Sequence, residues 1–284
     1  MERAPSSQPE KFRADLCYAS GGQSRVDHMD PAMRARVVEM LEGRGIDPEQ
    51  RELRARFYEL AGIAAGRRVL EVGCGTGVDS RAMAARVGPR GSVLGVDPSE
   101  TLLLEARRRT PSEMVARYER ASGEKLPLSA ESFDRAVAIT TLSHVAEPEP
   151  IVAEMARVVR PGGRVALFDH DMGTFVIDAR DREVTRLIFH HYTREVSGMD
   201  AGRRLYGLLR SAGLRAVQVV PLPLVDTTFS SYFQFVVDHY PHRAVEDGVL
   251  SAEKAEAWRQ DVRQRAAAGR FFGSLSYFAV VGVK

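Results

Sequence analysis

The chain has 284 residues, of which 44% are hydrophobic and 27% are charged, and its formal net charge is +2. This length is enough to bury one large core or two modest ones. The 40 basic residues are interspersed with 38 acidic residues, so the sequence lacks the basic stripe that binds a phosphate backbone, and a nucleic-acid substrate is disfavoured.

The cysteines and the apolar segments indicate the cellular compartment expected for the protein. Cys17 and Cys74 are the only cysteines, and they form no CxxC pair, which argues against a disulfide framework and a cysteine zinc site. Residues 1–15 lack the apolar segment of a secretory signal, and no stretch approaches the roughly 18 apolar residues of a membrane span. We therefore expect a soluble, cytoplasmic protein without a membrane partner.

Two helices are predicted after an irregular segment of residues 1–28. Asp30-Pro31 and Asp47-Pro48 each place an N-cap residue before a proline in the first helical turn. Apolar residues follow at helical spacing in both cases, and Gly43 is expected to end the first helix.

From Arg67 onward, short apolar strands alternate with helical segments. The predicted strands are residues 69–72, 93–96, 133–139, 165–168, 214–220 and 275–283. This alternation predicts an α/β fold with a doubly wound, mostly parallel sheet and helices on both faces. The segments 172–200 and 221–270 are predicted to be helical lid insertions.

A glycine-rich segment, Glu71-Val72-Gly73-Cys74-Gly75-Thr76-Gly77, lies between a predicted strand and a predicted helix. Such a loop turns tightly, and the helix N-terminus beyond it offers backbone N–H groups to an anion. Val78 stands where the dinucleotide fingerprint GxGxxG has its third glycine, which disfavours a nicotinamide cofactor. Asp97, at the end of the next strand, is placed to accept hydrogen bonds from ribose hydroxyls.

With these residues, the sequence resembles the class I S-adenosylmethionine-dependent methyltransferases, in their small-molecule subgroup. The resemblance covers residues 69–171 and, more weakly, the C-terminal third. Residues 69–77 are similar to the first motif of the family and 95–99 to its second. Residues 124–128 with 132–134 are similar to its third region, and 157–163 match the turn before its fifth strand. The resemblance implies a seven-stranded sheet with a reversed final strand, and S-adenosylmethionine as the cofactor.

The same resemblance implies a set of cofactor-binding residues. The glycine loop would hold the methionine part, Asp97 the ribose, and Pro98 would border the adenine. Ser122-Gly123 stands where the subgroup often has Asp-Ala, so the adenine contact is expected to involve a serine. The predicted set is Tyr18, Glu71, Gly73, Gly75, Gly77, Asp97, Pro98, Ser122, Gly123, Glu124 and Thr140. For Tyr18, in a segment that folds over the cofactor in similar enzymes, a flexible tail is the alternative.

Catalytic side chains are expected after the fourth and fifth strands, because ligands bind at the carboxyl edge of such sheets. His144 as a general base oriented by Asp169 is one interpretation, by analogy with sugar O-methyltransferases of this fold. The alternative is a His144 that only packs against the cofactor or caps a turn. His170 is a candidate for acceptor binding, although neighbours on a strand point to opposite faces.

The acceptor pocket and the question of a metal depend on the predicted lid. An aromatic cluster there consists of Phe229, Tyr232, Phe233, Phe235 and Tyr240. Most of these rings are expected to pack the lid, with Tyr232 or Phe233 contacting the acceptor. No metal is expected at His190-His191, because adjacent residues on a helix diverge by about 100°.

These observations predict three segments and one activity. Residues 1–63 are expected to be an N-terminal segment with lid helices, 64–171 the cofactor-binding core, and 172–284 the rest of the sheet with the acceptor-binding lid. The predicted activity is methyl transfer to an O, N or C atom of a small apolar or aromatic molecule, in secondary metabolism, with a homodimer as an open possibility. Two alternatives remain: a cofactor-binding enzyme that catalyses another reaction, and a methyltransferase that acts on a macromolecule.

Overall fold

A computed structural model describes residues 18–19, 23–24, 26–195 and 198–284. Its strands are β1 (Tyr18–Ala19), β2 (Gln23–Ser24), β3 (Arg68–Val72), β4 (Ser92–Asp97), β5 (Ala116–Arg120), β6 (Phe133–Ile139), β7 (Val159–Ile177), β8 (Arg215–Asp226) and β9 (Gly273–Val283). Its helices are α1 (Pro31–Gly43), α2 (Pro48–Ala61), α3 (Val78–Val87), α4 (Glu100–Arg109), α5 (Glu149–Val158), α6 (Arg182–Glu195), α7 (Ala201–Ser211), α8 (Ser231–Glu246) and α9 (Ala252–Ala267).

Seven strands form one sheet in the order β5-β4-β3-β6-β7-β9-β8. β9 runs antiparallel to β7 and β8, and the other neighbouring strands are parallel. The predicted α/β fold, with a doubly wound sheet and a reversed final strand, is confirmed. The chain crosses from one side of β3 to the other between β5 and β6, which opens a crevice at the carboxyl ends of these strands.

The two N-terminal helices begin at the predicted Asp-Pro pairs. Oδ1 of Asp30 accepts a hydrogen bond from the Met33 N–H at 2.9 Å, and Oδ1 of Asp47 accepts one from the Gln50 N–H at 2.9 Å. These bonds satisfy N–H groups that have no partner within the helix. Residues 44–47 connect α1 to α2, and they pack on the first residue of α3.

Helices cover both faces of the sheet, as an apolar sheet buried on two sides requires. On one face, α2 and α3 pack through Phe57 and Met83, in a core that continues into the lid. On the other face, α5 and α7 pack through Met155 and Leu205.

Three elements differ from the sequence-based prediction. β5 was missed because it lies at the edge of the sheet, where Tyr118 alone of its five residues is buried. β7 begins at Val159, before the predicted strand of residues 165–168. β7 and β8 continue to Ile177 and Asp226, inside the predicted lid segments, because both pair with the long strand β9.

The predicted lid segments 172–200 and 221–270 therefore contain α6, α8 and α9, which pack beside the extended ends of β7, β8 and β9. Phe233 of α8 is completely buried, with ring centroids 5.3 Å from Phe175 and 5.5 Å from Phe271. Tyr192 of α6 and Tyr240 of α8 stack with their ring centroids 3.8 Å apart. Much of the aromatic cluster in the sequence is packing between lid elements.

Candidate cofactor and acceptor site

The glycine loop turns from the end of β3 into α3. Gly73 and Gly77 have φ angles of 75° and 77°, in the left-handed region. A Cβ at Gly73 would lie 2.3 Å from Cγ2 of Thr141, and a Cβ at Gly77 would lie 2.5 Å from the hydroxyl oxygen of Tyr118. Backbone conformation and close neighbours both require glycine at these two positions.

Asp97 at the end of β4 holds this loop in place. Its Oδ2 accepts a hydrogen bond from the Gly75 N–H at 2.9 Å, and its Oδ1 accepts one from the Ser99 N–H at 2.9 Å. The side chain is buried at the crevice. Because each carboxylate oxygen has two lone pairs, Asp97 can accept further hydrogen bonds from a ligand.

Glu71 of β3 and Asp79 of α3 place two more carboxyl groups beside the loop. The Ser80 hydroxyl donates to Glu71, and Nε of Arg54 lies 3.1 Å from Oδ1 of Asp79. Burial, with the negative charges of Asp79 and Asp97, raises the pKa of Glu71 well above its usual value. A carboxyl group in this state ionises when a cation approaches, which suits a bound ammonium group.

One cavity is bounded by the glycine loop, the carboxyl ends of β3, β4 and β6, and the end of α1. Its lining residues are Met40, Leu41, Arg44, Glu71, Gly73, Cys74, Gly75, Thr76, Val78, Asp79, Asp97, Leu102, Ile139, Thr140, Thr141 and His144. Of the predicted cofactor residues, five line this cavity, namely Glu71, Gly73, Gly75, Asp97 and Thr140. Gly77 and Pro98 adjoin lining residues in the sequence.

The predicted adenine-binding residues lie beside this cavity. Ser122, Gly123 and Glu124 form a turn after β5, and the preceding Ala121 N–H donates to the backbone oxygen of Asp97 at 3.2 Å. None of the three is a lining residue. Their contact with adenine stays a prediction, and so does that of Tyr18, whose side chain lies outside the described residues.

Asp169 of β7 pairs with its sequence neighbour and not with His144. Its Oδ2 accepts a hydrogen bond from the Ser143 N–H at 3.0 Å, and its Oδ1 lies 3.1 Å from Nδ1 of His170. Burial opposes ionisation, but His170 and the Ser143 N–H outweigh it and hold the pKa of Asp169 below its usual value. The predicted pair of His144 and Asp169 is not formed, since no hydrogen bond or ion pair joins them among the described residues; Nδ1 of His144 and Nδ1 of His170 both lack a hydrogen-bond partner there.

His144 remains a lining residue of the cavity with an unusual acidity. Burial lowers its pKa to about 4; the charge of Asp169 opposes this shift, and those of Arg44 and His170 add to it. The imidazole is therefore neutral at physiological pH. It can accept a proton, but it releases that proton readily.

Arg44 is a lining residue that sequence reasoning missed. It caps the end of α1, and its Nη1 donates to Oγ1 of Thr140 at 2.7 Å. Thr140 has a φ angle of 48°, a conformation that β-branched residues rarely adopt outside functional or tightly constrained positions. The one signal in the sequence was a cation in the short connection between two predicted lid helices.

Comparison with known families agrees with this geometry. The family model described as a methyltransferase domain matches residues 70–167, the segment from β3 to β7 that builds most of the cavity. The chain belongs to the class I methyltransferases. Its cofactor is S-adenosylmethionine.

Sequence relatives of this methyltransferase share part of their length with it. An uncharacterized 37.1 kDa protein in transposon TN4556 of Streptomyces fradiae is 35% identical, over 76% of this chain and 62% of that protein. Methyltransferase GfsG of Streptomyces halstedii is 38% identical over 40% of this chain and 41% of that protein. O-methyltransferase resE of Aspergillus sclerotiorum is 32% identical over 59% and 61%, respectively. The matches thus span less than two thirds of these relatives.

Solved structures share the fold of the methyltransferase at low sequence identity. The YcgJ protein of Bacillus subtilis has a TM-score of 0.55 and 18% identity, over 82% of this chain and 98% of that chain. A SAM-dependent methyltransferase from Aquifex aeolicus has a TM-score of 0.52 and 18% identity, over 88% and 98%. The [4+2]-cyclase SpnF has a TM-score of 0.50 and 20% identity, over 83% and 80%.

The cavity of the methyltransferase suits the groups of this cofactor. Asp97 offers carboxylate oxygens to the ribose hydroxyls, and Glu71 offers a carboxyl group to the methionine ammonium. The glycine loop leaves room for close backbone approach. Oγ1 of Thr76 and Nδ1 of His144 are buried without a partner in the described part of the chain, so both are available to a ligand.

An aromatic wall continues from this cavity toward the lid of the methyltransferase. His170 meets Tyr277 of β9 edge-on, with ring centroids 5.6 Å apart, and Tyr277 stacks on Phe168 at 5.0 Å. Tyr232 of α8 is half-buried, so it keeps accessible surface that Phe233 lacks. Of the two predicted acceptor contacts, Phe233 lies in the packing core of the lid, and Tyr232 has surface for a ligand.

Arg44, a charged residue of the cavity, influences the phenol of Tyr232. Burial raises its pKa well above the usual value, Tyr277 and Tyr192 add to this shift, and Arg44 opposes it. The same arginine acts on Tyr277 and His144. Arg44 thus lines the cofactor cavity, and its positive charge also acts on the phenols of Tyr232 and Tyr277.

The remaining sequence-based expectations concern His191, a metal site and membrane-spanning helices. Nε2 of His191 lies 3.0 Å from Oδ2 of Asp247, which ties α6 to the end of α8. Within the described ranges, no group of three or more histidine, cysteine or acidic side chains is arranged to hold a metal ion. The helices described here also include none with the length and apolar character needed to cross a membrane.

Proposed function

We propose that this methyltransferase transfers the methyl group of S-adenosylmethionine to an O, N or C atom of a small, apolar or aromatic molecule. The acceptor would bind between the cofactor cavity and the lid. The observation that carries this proposal is the aromatic wall of Phe168, Tyr277 and His170, which lies beside the cavity because Asp169 accepts a hydrogen bond from the N–H of Ser143, the neighbour of His144. Aromatic side chains with a few polar groups are typical of pockets for small organic ligands.

The residues of this chain would mainly align the acceptor and exclude water. The bound cofactor supplies an activated methyl group, so a base is needed only where the accepting atom must lose a proton. His170 is the better candidate for that base, because the Asp169 carboxylate lies 3.1 Å from its Nδ1 and would stabilise the protonated imidazole. His144 would border the transferred methyl group as a neutral side chain.

The names of sequence relatives support an acceptor of low molecular weight. They include an O-methyltransferase and a ubiquinone/menaquinone biosynthesis C-methyltransferase, UbiE, of Pseudomonas putida, which is 34% identical over 41% of this chain. These names differ in the atom methylated, so the accepting atom is left open. A role in secondary metabolism, a cytoplasmic location and a homodimer stay predictions.

A labelled-methyl assay tests the proposal. The purified chain is incubated with S-adenosylmethionine carrying a labelled methyl group and with fractionated small-molecule extracts, and products are separated by mass. We expect label in a small product and an equivalent amount of S-adenosylhomocysteine. The Asp97→Asn variant, with weakened cofactor binding, should lose this transfer.

Two other outcomes would replace the proposal. Label recovered only in protein, nucleic acid or another precipitable fraction would identify a macromolecular acceptor. A small molecule converted without uptake of label and without formation of S-adenosylhomocysteine would identify a reaction other than methyl transfer. The shared fold with a [4+2]-cyclase makes the second outcome worth a direct measurement.

A further inference from the structure

The walls of the cofactor cavity carry more acidic than basic side chains. Glu71, Asp79 and Asp97 bring three carboxyl groups to its walls. Asp79 is paired with Arg54, but the carboxylate at the methionine end of S-adenosylmethionine finds no positively charged partner among these three groups. Among the lining residues of the described chain, Arg44 is the one side chain with a permanent positive charge.

Arg44 is held in a defined position on the cavity wall. Its Nη1 donates to Oγ1 of Thr140 at 2.7 Å, which uses one of the five N–H donors of the side chain. Thr140 presents this hydroxyl from a left-handed backbone conformation, while its own N–H donates to the Phe168 oxygen at 2.7 Å. A guanidinium fixed at one nitrogen keeps further donors for a carboxylate oxygen.

The loop that carries Arg44 sits where the methionine end is expected. A Cβ at Gly45 would lie 2.9 Å from Cγ1 of Val78, the first residue of α3. Arg44 is thereby kept beside the start of α3, whose backbone N–H groups also favour an anion. Glu71, the candidate partner of the ammonium group, lines the same cavity.

We propose that Arg44, positioned by Thr140, binds the methionine carboxylate of the cofactor and thereby fastens the α1–α2 connection over the occupied cavity. The ammonium and carboxylate groups of the methionine end are then received by Glu71 and Arg44, respectively. Arg44 lines the cavity together with His144, and its charge also acts on the phenol of Tyr232. A carboxylate of the acceptor is therefore the other source of the same chemistry, and the test separates the two. This inference is independent of which acceptor is methylated.

Two cofactor forms that differ by one carboxylate provide the test. Calorimetric titration of the full chain compares S-adenosylmethionine with decarboxylated S-adenosylmethionine, which keeps the sulfonium and the amine. We expect the wild type to bind the carboxylate-bearing form about 10- to 100-fold more tightly. Arg44→Gln should weaken binding of S-adenosylmethionine by about that factor and leave the decarboxylated form unchanged, so that the ratio falls to about one.

Two variants serve as comparison and control. Thr140→Val keeps the β-branched shape, removes the hydroxyl that positions Arg44, and should lower the ratio in part. Arg51→Gln removes an exposed arginine of α2 and should leave both affinities unchanged. Circular dichroism of each variant confirms that it is folded before titration.

Hydrogen exchange gives a readout that does not depend on affinity. In the wild type, residues 40–50 should exchange more slowly with S-adenosylmethionine than with its decarboxylated form, both at saturation. In Arg44→Gln this difference should disappear. A variant that keeps the difference would overturn the fastening role.

Three results of titration and acceptor kinetics would overturn the carboxylate site itself. Equal weakening of both cofactor forms by Arg44→Gln would mean that Arg44 only supports the loop. No change in either affinity would mean that Arg44 does not contact the cofactor. An unchanged ratio with a raised KM for a carboxylate-bearing acceptor would assign Arg44 to the acceptor instead.

Discussion

Nδ1 of His170 lies 3.1 Å from Oδ1 of Asp169, so the carboxylate predicted to orient His144 lies against a different histidine. We expect His170→Gln to lower kcat by about 100-fold or more for an acceptor that must lose a proton, because the oriented proton acceptor is removed. Cofactor affinity should stay unchanged. Steady-state kinetics with the acceptor from the labelled-methyl assay, beside calorimetry, measures both. A His144→Gln variant that loses as much kcat, while His170→Gln stays active, would reverse the assignment.

His144 should make the protein sensitive to acid. In the unfolded chain a histidine takes up a proton as pH falls through about 6.5, whereas the folded protein does so only near pH 4. Because the unfolded state binds more protons between these values, the free energy of unfolding should decrease as pH falls from about 6.5 to 4, by up to about 3 kcal/mol. His144→Gln should remove this part of the pH dependence. Urea denaturation at several pH values measures it, and parallel pH curves for both proteins would contradict the prediction.

Gly73 should tolerate no side chain. Gly73→Ala places a Cβ 2.3 Å from Cγ2 of Thr141 at a φ angle of 75°. Gly66 provides the matched control, because its φ angle is 77° and a Cβ there would meet no atom within 4 Å. We expect Gly66→Ala to cost about 1–2 kcal/mol from backbone strain alone, and Gly73→Ala about 1–3 kcal/mol more from the clash. Equal costs in chemical denaturation would show that Thr141 moves aside freely.

Asp97 should be needed for cofactor binding. In Asp97→Asn one acceptor oxygen becomes an amide nitrogen, so the hydrogen bonds from the Gly75 and Ser99 N–H groups cannot both persist. Together with the weakened ribose contact, we expect affinity for S-adenosylmethionine to fall about 10- to 100-fold in calorimetry.

Asp134 offers a control for Asp97 at the opposite edge of the sheet. It lies at the start of β6, where its Oδ1 accepts from Nε of Arg160 at 2.6 Å. Asp134→Asn should leave cofactor affinity unchanged. A similar loss in both variants would point to general destabilisation and against a specific role for Asp97.

Tyr232 and Phe233 should separate acceptor binding from lid stability. Tyr232→Phe removes only a hydroxyl from a half-buried ring, so we expect a higher KM for the acceptor and little change in unfolding free energy. Phe233→Ala empties a completely buried site in the lid, which should cost about 3–5 kcal/mol. Thermal denaturation and acceptor kinetics on both variants check this difference. A stability loss in Tyr232→Phe as large as in Phe233→Ala would place Tyr232 in the packing core as well.

Patterns that are local in the chain were readable before the structure. The Asp30-Pro31 and Asp47-Pro48 pairs predicted the helix starts, because an N-cap and a proline act within one turn. The apolar run of β6 and the glycine loop are also local patterns in the sequence. They predicted a parallel sheet with a ligand crevice. β5 escaped prediction because an edge strand with one buried residue carries little apolar signal.

Contacts between distant segments were decided only by the tertiary structure. The sequence determined the fold class, the protein family with its cofactor, and the residues of the glycine loop. These features depend on neighbours within a few positions of the chain. Which histidine Asp169 lies against, and that Arg44 meets Thr140 across 96 positions of the chain, depend on how strands and helices come together. Side-chain direction at a strand end is set by the packing around it, and periodicity in the sequence carries no record of that direction.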